Sequence, residues 1–411
     1  MGDERRPVPA ATYPAGSATA PPRVQGVRSP GADDLAAIAE EAGIRRVHFV
    51  AWRDLNDPEA GGSELHAHHV ASLWAAAGID VTFRTSAVPG GARALTRDGY
   101  RVLRRAGRYA VFPGAAWEGI RMGHRQGDAL VEIWNGMPFF SPLWYRGPHI
   151  VFLHHVHAEM WGMVLPPTLA RMGDMVERRL APRVYRDSRV VTLSETSRAE
   201  IVELLGLRPE RISVAPPGVD PRYSPGGERS STPLVVAVGR LVPVKRFDLL
   251  IRSLVKAKAA LPELRAVIIG EGYERPVLEA LRSELGATEW LALPGRVEDD
   301  ELVSWYRQAW LVASASQREG WGMTLTEGAA CGTPAVATAI AGHKDAVLHG
   351  ESGLLVDGVE EYSSALVRML SDEVLRSRLA RGALARARWF TWAATARRSL
   401  EALAEETSAR L

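Results

Sequence analysis

The sequence predicts an α/β protein made of two successive domains, each with a parallel sheet covered by helices. Three observations carry that prediction. Short apolar runs of strand length alternate with segments of helical spacing, the pattern of a parallel sheet flanked by helices on both faces. The chain has 411 residues, more than one ordinary core holds. The alternation is broken once, by APPGVDPRYSPGGERSSTP at 215–233, whose prolines and glycines mark a linker.

Taken in order, residues 1–30 are rich in Pro, Ala, Gly and Arg, lack the apolar segment of a secretory signal, and read as a disordered leader. The first domain is expected over 31–214. RRVHFVAW (45–52) reads as a strand, followed by a polar loop and by a helix over 63–78 with Ser63 as its cap and Gly78 as its stop. IDVTFRT (79–85), DALVEIW (128–134), HIVFLHH (149–155) and SRVVTLS (188–194) read as further strands. The segment 96–127 is rich in Arg and Gly and has weaker periodicity. The second domain is expected over 215–387. Its strands are LVVAVGRL (234–241), RAVIIGEG (265–272), WLALPGRV (290–297), AWLVASAS (309–316) and TPAVATAI (333–340), with helices over 246–262 and 274–287 between them. A helix-rich tail closes the chain, and its last helix, about 388–411, is expected to cross back to the first domain.

Composition narrows the function. A hydrophobic content of 46% with 24% charged residues is that of a soluble globular protein, and a net charge of +2 gives no electrostatic basis for binding nucleic acid. The single cysteine, Cys331, excludes an intrachain disulfide and a cysteine zinc cluster and reads as a small buried filler, consistent with a reducing cytoplasm. No run approaches the ~18 apolar residues of a membrane span. One stretch, Trp161, Met163, Val164 and Leu165 followed by Arg171, Arg178 and Arg179, fits peripheral docking at the inner membrane face; a buried helix edge is the competing reading.

The most informative motif is EGWGMTLTE, with Glu319 and Glu327 on either side of a glycine-broken turn that enters a helix. A helix N-terminus presents free N–H groups and a positive dipole, so this junction with its two acids suits a ligand carrying phosphate and several hydroxyls, such as a nucleotide sugar. The competing reading makes Glu327 the third helical residue of a capping box begun at Thr324. Gly320 and Gly322 favour the ligand, because they allow close backbone approach. In GRLVPVKR, Arg240 and Lys245 follow a buried strand, where ligands of parallel sheets bind, and form a forked and a point cation for a diphosphate; a solvated loop is the alternative. Gly61 and Gly62 stand between a strand and a helix and can wrap a phosphate or simply turn the chain. His154, His155, His157 and Glu159 invite a metal reading, but on a strand their side chains alternate, so one His facing a cleft and bonding a substrate hydroxyl is better motivated.

Together PPGVD, VGRLVPVK, IIGEG, LPGRV, EGWGMTLTE, ACGTPAVA and HGESGLLV, and more loosely GGSE, NGMPFFSPL and HHVHAEMW, resemble glycosyltransferase family four, retaining enzymes of the GT-B fold with a Glu-x7-Glu pattern. The resemblance implies two Rossmann-like domains facing a cleft, with the acceptor on the first and a UDP- or GDP-linked sugar on the second. It implies Arg240, Lys245, Gly61 and Gly62 at the donor diphosphate, and Glu327 at the ribose. Glu319 and His154 would sit at the reacting sugar. Backbone of Gly320, Trp321, Gly322, Met323 and Thr324 would contact sugar and phosphate, and that of Arg296 and Val297 the base. It implies no metal and no cofactor beyond the co-substrate, a front-face transfer to a hydroxyl acceptor, and a lipid-linked acceptor if the chain docks on a membrane. Pro217, Asp345 and Trp321 depart from the commoner Asn, Glu and Phe of such enzymes without removing a charge partner. A sugar-nucleotide epimerase, a phosphorylase or a non-catalytic nucleotide-sugar binder are the alternatives. Because the site draws on both domains, an unliganded protein is expected to hold His154 and Glu319 apart and to close on the donor.

Overall fold

The computed structural model describes residues 31–410; the leader expected over 1–30 lies outside the described residues. Two sheets organise the chain. The first contains β1 (Arg46–Val50), β2 (Asp80–Thr85), β3 (Ala94–Arg97), β4 (Tyr100–Arg104), β5 (Asp128–Trp134), β6 (His149–Leu153), β7 (Arg189–Thr192) and β8 (Ile212–Val214), in the order β3-β4-β2-β1-β5-β6-β7-β8. All its pairings are parallel except β3 with β4, an antiparallel edge hairpin formed by Ala94↔Leu103 through Arg97↔Tyr100. That hairpin and a helix at Val111–Met122 fill the segment whose periodicity was weak.

The second sheet contains β9 (Leu234–Val238), β10 (Arg265–Ile269), β11 (Leu291–Gly295), β12 (Leu311–Ser314), β13 (Ala335–Thr338) and β14 (Gly353–Val356). Their order is β11-β10-β9-β12-β13-β14, all parallel. The central strands pair in parallel as short apolar runs buried on both faces; β5 is buried along its whole length. The first core gathers Phe49, Phe83 and Phe152 from the sheet with Trp74 from the helix Gly62–Ala76, and Phe49 stacks on Phe83 at 5.3 Å.

The strand orders locate the ligand crevices. In the second sheet the order reverses between β9 and β12, and in the first between β1 and β5. Such switch points open a crevice at the carboxyl ends of the two strands. Arg240 and Lys245 follow β9 and Glu319 follows β12, so both flank one switch point. Gly61 and Gly62 follow β1 and Asn135 follows β5, at the other.

The helix Glu373–Ala387 packs on the second domain, with Ala383 and Ala387 against Ala329 and Ala330. The chain then crosses back. Thr391 caps the helix Trp392–Ser408 through the Ala394 N–H, and Ala396, Leu400 and Leu403 enter the first core. Trp74 Nε1 donates to the Ala396 carbonyl at 3.0 Å, and Thr395 Oγ1 to the Pro216 carbonyl at 2.6 Å. The crossing is tight enough that a Cβ on Gly218 would lie 2.1 Å from the Trp392 nitrogen, so only glycine fits there.

Candidate functional site

The helix Gly62–Ala76 starts one residue earlier than the sequence suggests. Its cap is Gly61, not Ser63, and Glu64 at the third helical position accepts the Gly61 N–H at 2.8 Å. Glu64 is buried and also accepts from Ser63 Oγ at 2.9 Å and Arg53 Nε at 3.1 Å. Across the cleft, the helix Met323–Ala330 begins after Gly322, whose φ of 100° is left-handed. The two N-termini face each other: a Cβ on Gly62 would lie 3.1 Å from Met323 Sδ, and one on Gly61 3.4 Å from Arg240 Nε. Arg240 reaches over to the first domain and donates to the Glu59 carbonyl at 3.2 Å. Two helix N-termini and a guanidinium thus lie close together, a juxtaposition suited to a diphosphate.

Lys245 does not stand free beside Arg240. Its ammonium is paired with Glu319, which also accepts from Ser316 Oγ at 2.9 Å. Burial alone would raise the Glu319 carboxyl, but Lys245, His343 and the two hydrogen bonds outweigh it and hold the acid at about 2. Glu327 behaves in the opposite way. Burial, with Asp299 and Asp220 nearby, pushes it up to about 7 although the Tyr306 hydroxyl donates to it at 2.8 Å. Its position settles the capping question. The helix is capped at Gly322, so Glu327 is the fifth helical residue and bonds Tyr306 rather than the cap.

The glycines of EGWG have a different reason than the one inferred from sequence. A Cβ on Gly320 would lie 2.2 Å from the His154 carbonyl of the other domain, and one on Gly322 2.9 Å from His343 Cδ2. Both serve contacts of the protein with itself. Trp321 is buried against Phe390, with ring centroids 4.9 Å apart. Met323 and Thr324 form the first turn of the helix. Arg296 is exposed and Val297 half-buried just beyond β11.

β6 ends at Leu153, and the histidines after it divide. His154 turns inward, its Nε2 3.1 Å from His66 Nδ1, and only its carbonyl meets the cleft loop. His155 and His157 stack at 4.9 Å, and both feel the charges of Arg240 and Arg318, His155 also those of Glu319 and Lys245. Burial brings His155 down to about 4 and holds His157 well below the ordinary imidazole value, so both imidazoles are neutral at pH 7. Among the described residues, His155 Nε2 and His157 Nδ1 are buried without a partner. Alternation along the chain could have identified this pair, since it places 155 and 157 on one side and 154 on the other. Tyr306, Ser316, His343 and Arg53 carried no motif signal.

The two domains meet directly, against the expectation of an open cleft. Ser197 Oγ donates to the Gly320 carbonyl at 3.2 Å, and the Gly342 N–H to Thr196 Oγ1 at 2.8 Å. Asp345 accepts the Glu195 and Thr196 N–H groups, each at 3.2 Å, at the start of the helix Glu195–Leu205. Arg318 adds bonds to the Val156 carbonyl at 3.3 Å and to Glu159 at 3.2 Å. Gly320→Ala should therefore wedge the domains apart and lower turnover roughly 10²-fold, the scale of a 1 Å misplacement. Small-angle scattering should show a larger radius of gyration than wild type; an unchanged radius would show that the loop yields instead.

Among the described residues, no group of three His, Cys, Asp or Glu is placed to hold a metal ion, and no helix is long and apolar enough to cross a membrane. Trp161 is not surface-exposed: its ring packs near His157 and its Nε1 donates to buried Glu177. The exposed apolar side chains of this region are instead Leu169, Met172, Met175 and Leu180, beside exposed Arg171, Arg178 and Arg179.

Two family models match the chain, Glycosyltransferase Family 4 over residues 60–223 and Glycosyl transferases group 1 over 224–386. D-inositol 3-phosphate glycosyltransferase of Acidothermus cellulolyticus is 34% identical over 314 residues, 66% of this chain and 70% of the relative. The protein of that name from Thermobispora bispora is 33% identical over 283 residues, 60% of this chain and 66% of the relative, so the matches span about two thirds of these relatives. Among solved structures, sucrose-phosphate synthase from Thermosynechococcus elongatus superposes with a TM-score of 0.72 at 19% identity, covering 86% of this chain and 96% of that one. Anabaena Alr3699/HepE in complex with UDP-glucose gives 0.68 at 17% identity, covering 89% and 100%. At such identities the likeness is one of fold.

Proposed function

The chain belongs to glycosyltransferase family 4, and on that footing we propose that it is a retaining enzyme that moves a sugar from a nucleotide-diphosphate donor to a hydroxyl acceptor without a metal ion. The observation that carries this reading is that juxtaposition. Arg240 and the N-termini of two helices lie together, with the Lys245–Glu319 pair following β9 and β12 and Glu327 further along the helix Met323–Ala330. Arg240 and Lys245 hold the diphosphate and stabilise it as it departs. Glu327 takes the ribose hydroxyls, and backbone near Arg296 and Val297 meets the base. Gly61 and Gly62 close over the phosphates, and the backbone from Gly320 to Thr324 meets sugar and phosphate. The sugar contact foreseen for the His154 side chain falls to His155 and His157, each with a buried nitrogen that has no partner among the described residues and each within reach of the charges of Arg240 and Arg318.

The chemistry of Glu319 favours front-face displacement over a covalent intermediate. A carboxylate held at about 2 by Lys245 is a weak base and a poor nucleophile. It is well placed to stabilise positive charge developing at the anomeric carbon. The departing diphosphate oxygen then takes the acceptor proton, and the configuration is retained. The first donor to test is UDP-glucose and the first acceptor D-inositol 3-phosphate, from the names of the neighbour and the relatives. The exposed Leu169, Met172, Met175 and Leu180 with Arg171, Arg178 and Arg179 support a second acceptor class, lipid-linked and reached from an anionic membrane surface.

A panel of nucleotide sugars, scored by thermal shift and then by slow donor hydrolysis, tests the reading. The anomeric configuration of the product, followed by NMR, tests retention; an inverted product would overturn the mechanism. Because the cations at the diphosphate are side chains and helix ends, turnover should survive EDTA at its full rate. Loss of activity on chelation, restored by Mg²⁺ or Mn²⁺, would refute the metal-free mechanism.

A further inference from the structure

Two buried carboxylates lie beneath the cleft, and the mechanism above uses neither. Glu132, on β5, and Glu177, in a single π-helical turn at Val176–Leu180, are fully buried. Among the described residues neither makes an ion pair. Each instead accepts two backbone N–H groups and one aromatic donor. Glu132 takes the N–H of Phe139 at 2.6 Å and of Ser141 at 3.1 Å, with the Tyr185 hydroxyl at 2.6 Å. Glu177 takes the N–H of His157 at 2.7 Å and of Ala158 at 2.9 Å, with Trp161 Nε1 at 3.0 Å.

The correspondence extends to the backbone. Each carboxylate binds the chain around a non-glycine residue in the left-handed region, Phe140 at φ 55° and Ala158 at φ 45°. Such residues persist only where their surroundings fix them, and they cluster at functional sites. The two loops follow β5 and β6 on the cleft side of the sheet, and they touch: a Cβ on Gly136 would lie 3.0 Å from His157 Nε2. The first loop carries Asn135, whose Nδ2 donates to Ser63 Oγ at 2.8 Å in the glycine-capped helix. The second carries His155 and His157. One helical stretch serves both, since Glu177 lies in its π turn and Tyr185 in the helix Ala181–Tyr185 that follows.

Burying a carboxylate without a cation is costly, and a glutamine of nearly the same shape carries no charge. Glutamine does not fit these donors. All three point at two oxygens, and an amide would set its NH₂ against an N–H or O–H on one side. Only a group that accepts through both oxygens satisfies the set.

We propose that Glu132 and Glu177 are a matched pair of positioning residues, which clamp the loops after β5 and β6 in the one conformation that turns Asn135, His155 and His157 toward the donor. The assignment rests on the glycosyltransferase reading. In full-length Glu177→Gln, the amides of 155–161 should exchange with deuterium at least about tenfold faster, while peptides of the second domain stay at wild-type rates. UDP affinity, measured calorimetrically, should stay at the wild-type value because Arg240, Lys245 and Glu327 lie in the second domain and the Gly61–Gly62 turn lies outside the 155–161 loop. Turnover in UDP-glucose hydrolysis should fall about tenfold or more. Tyr185→Phe, which keeps the ring, and Trp161→Phe, which leaves a smaller aromatic ring, remove one donor each; they should give the same pattern in milder form and guard against a misfolded glutamine variant. Folded variants with faster loop exchange but wild-type turnover would overturn the positioning role, as would loops that exchange no faster. A wild-type protein inert toward UDP-glucose and the other nucleotide sugars would overturn the glycosyltransferase reading instead, and loop exchange would still decide whether the carboxylates clamp.

Discussion

Glu319→Gln should lower turnover by roughly 10² to 10³, the usual cost of removing one preorganised electrostatic contact at a reacting centre. Donor affinity should change little, because the diphosphate retains Arg240, Lys245 and both helix ends. The variant should also lose stability at neutral pH, and the sign follows from linkage. The folded protein holds this acid at about 2 against an ordinary value of 4.5. It therefore contributes stability that is present above about 4.5 and lost as pH falls toward 2, on the order of 3 kcal/mol. Substitution removes that contribution and leaves Lys245 without its partner. Steady-state hydrolysis, donor titration and thermal melts at pH 7 measure the three effects. Near-normal turnover in a folded variant would remove Glu319 from the reacting centre.

The second large effect belongs to Glu327 and has the opposite stability sign. Its folded pKa is raised to about 7, so the contribution is present below 4.5 and lost as pH rises through 7, leaving the unliganded protein with a half-buried, poorly solvated charge at pH 8. Glu327→Gln should therefore melt higher than wild type at pH 8 and about equally at pH 4.5. Donor binding should show the reverse trend, because the proposed contact with two ribose hydroxyls needs the ionised acid. With a pKa of about 7, the ionised fraction falls from about nine-tenths at pH 8 to about one part in thirty at pH 5.5, so a donor such as UDP-glucose should bind roughly thirtyfold more weakly at the lower pH. Its diphosphate diester does not titrate in this range, so the slope reports the protein. In Glu327→Gln the slope should vanish and affinity at pH 8 should fall. A variant that loses stability at pH 8 but binds donor normally would return Glu327 to a structural role.

The sequence displayed the two acids, but not the difference between them. Spacing placed Glu319 in a loop and Glu327 on a helix. The neighbours that separate their ionisation are Lys245, Ser316 and His343 for one and Tyr306, Asp220 and Asp299 for the other, and these arrive from distant elements. The central strands were legible because they are short apolar runs, most with both faces buried, whereas the short β8 and β14 were not read as strands. The edge hairpin at 94–104 was not, since the exposed residues of β3 carry no apolar alternation. His154 was favoured over His155 because both follow the same strand, and which of them faces outward depends on where the strand ends. The clamps escaped entirely: Glu132 sits in DALVEIW as a lone acid in a strand, and only tertiary structure brings Phe139, Ser141 and Tyr185 to it.

The return of the final helix to the first core constrains how this protein can be recombined. That core is discontinuous, with its last wall encoded beyond the second domain. A chimaera joined once, at the linker, would import a foreign helix against Trp74 and the first sheet. An exchange of donor specificity between relatives should therefore use two junctions, one near Gly218 and one near Thr391. Those two points lie in contact, so the transplanted half enters and leaves through a single gate.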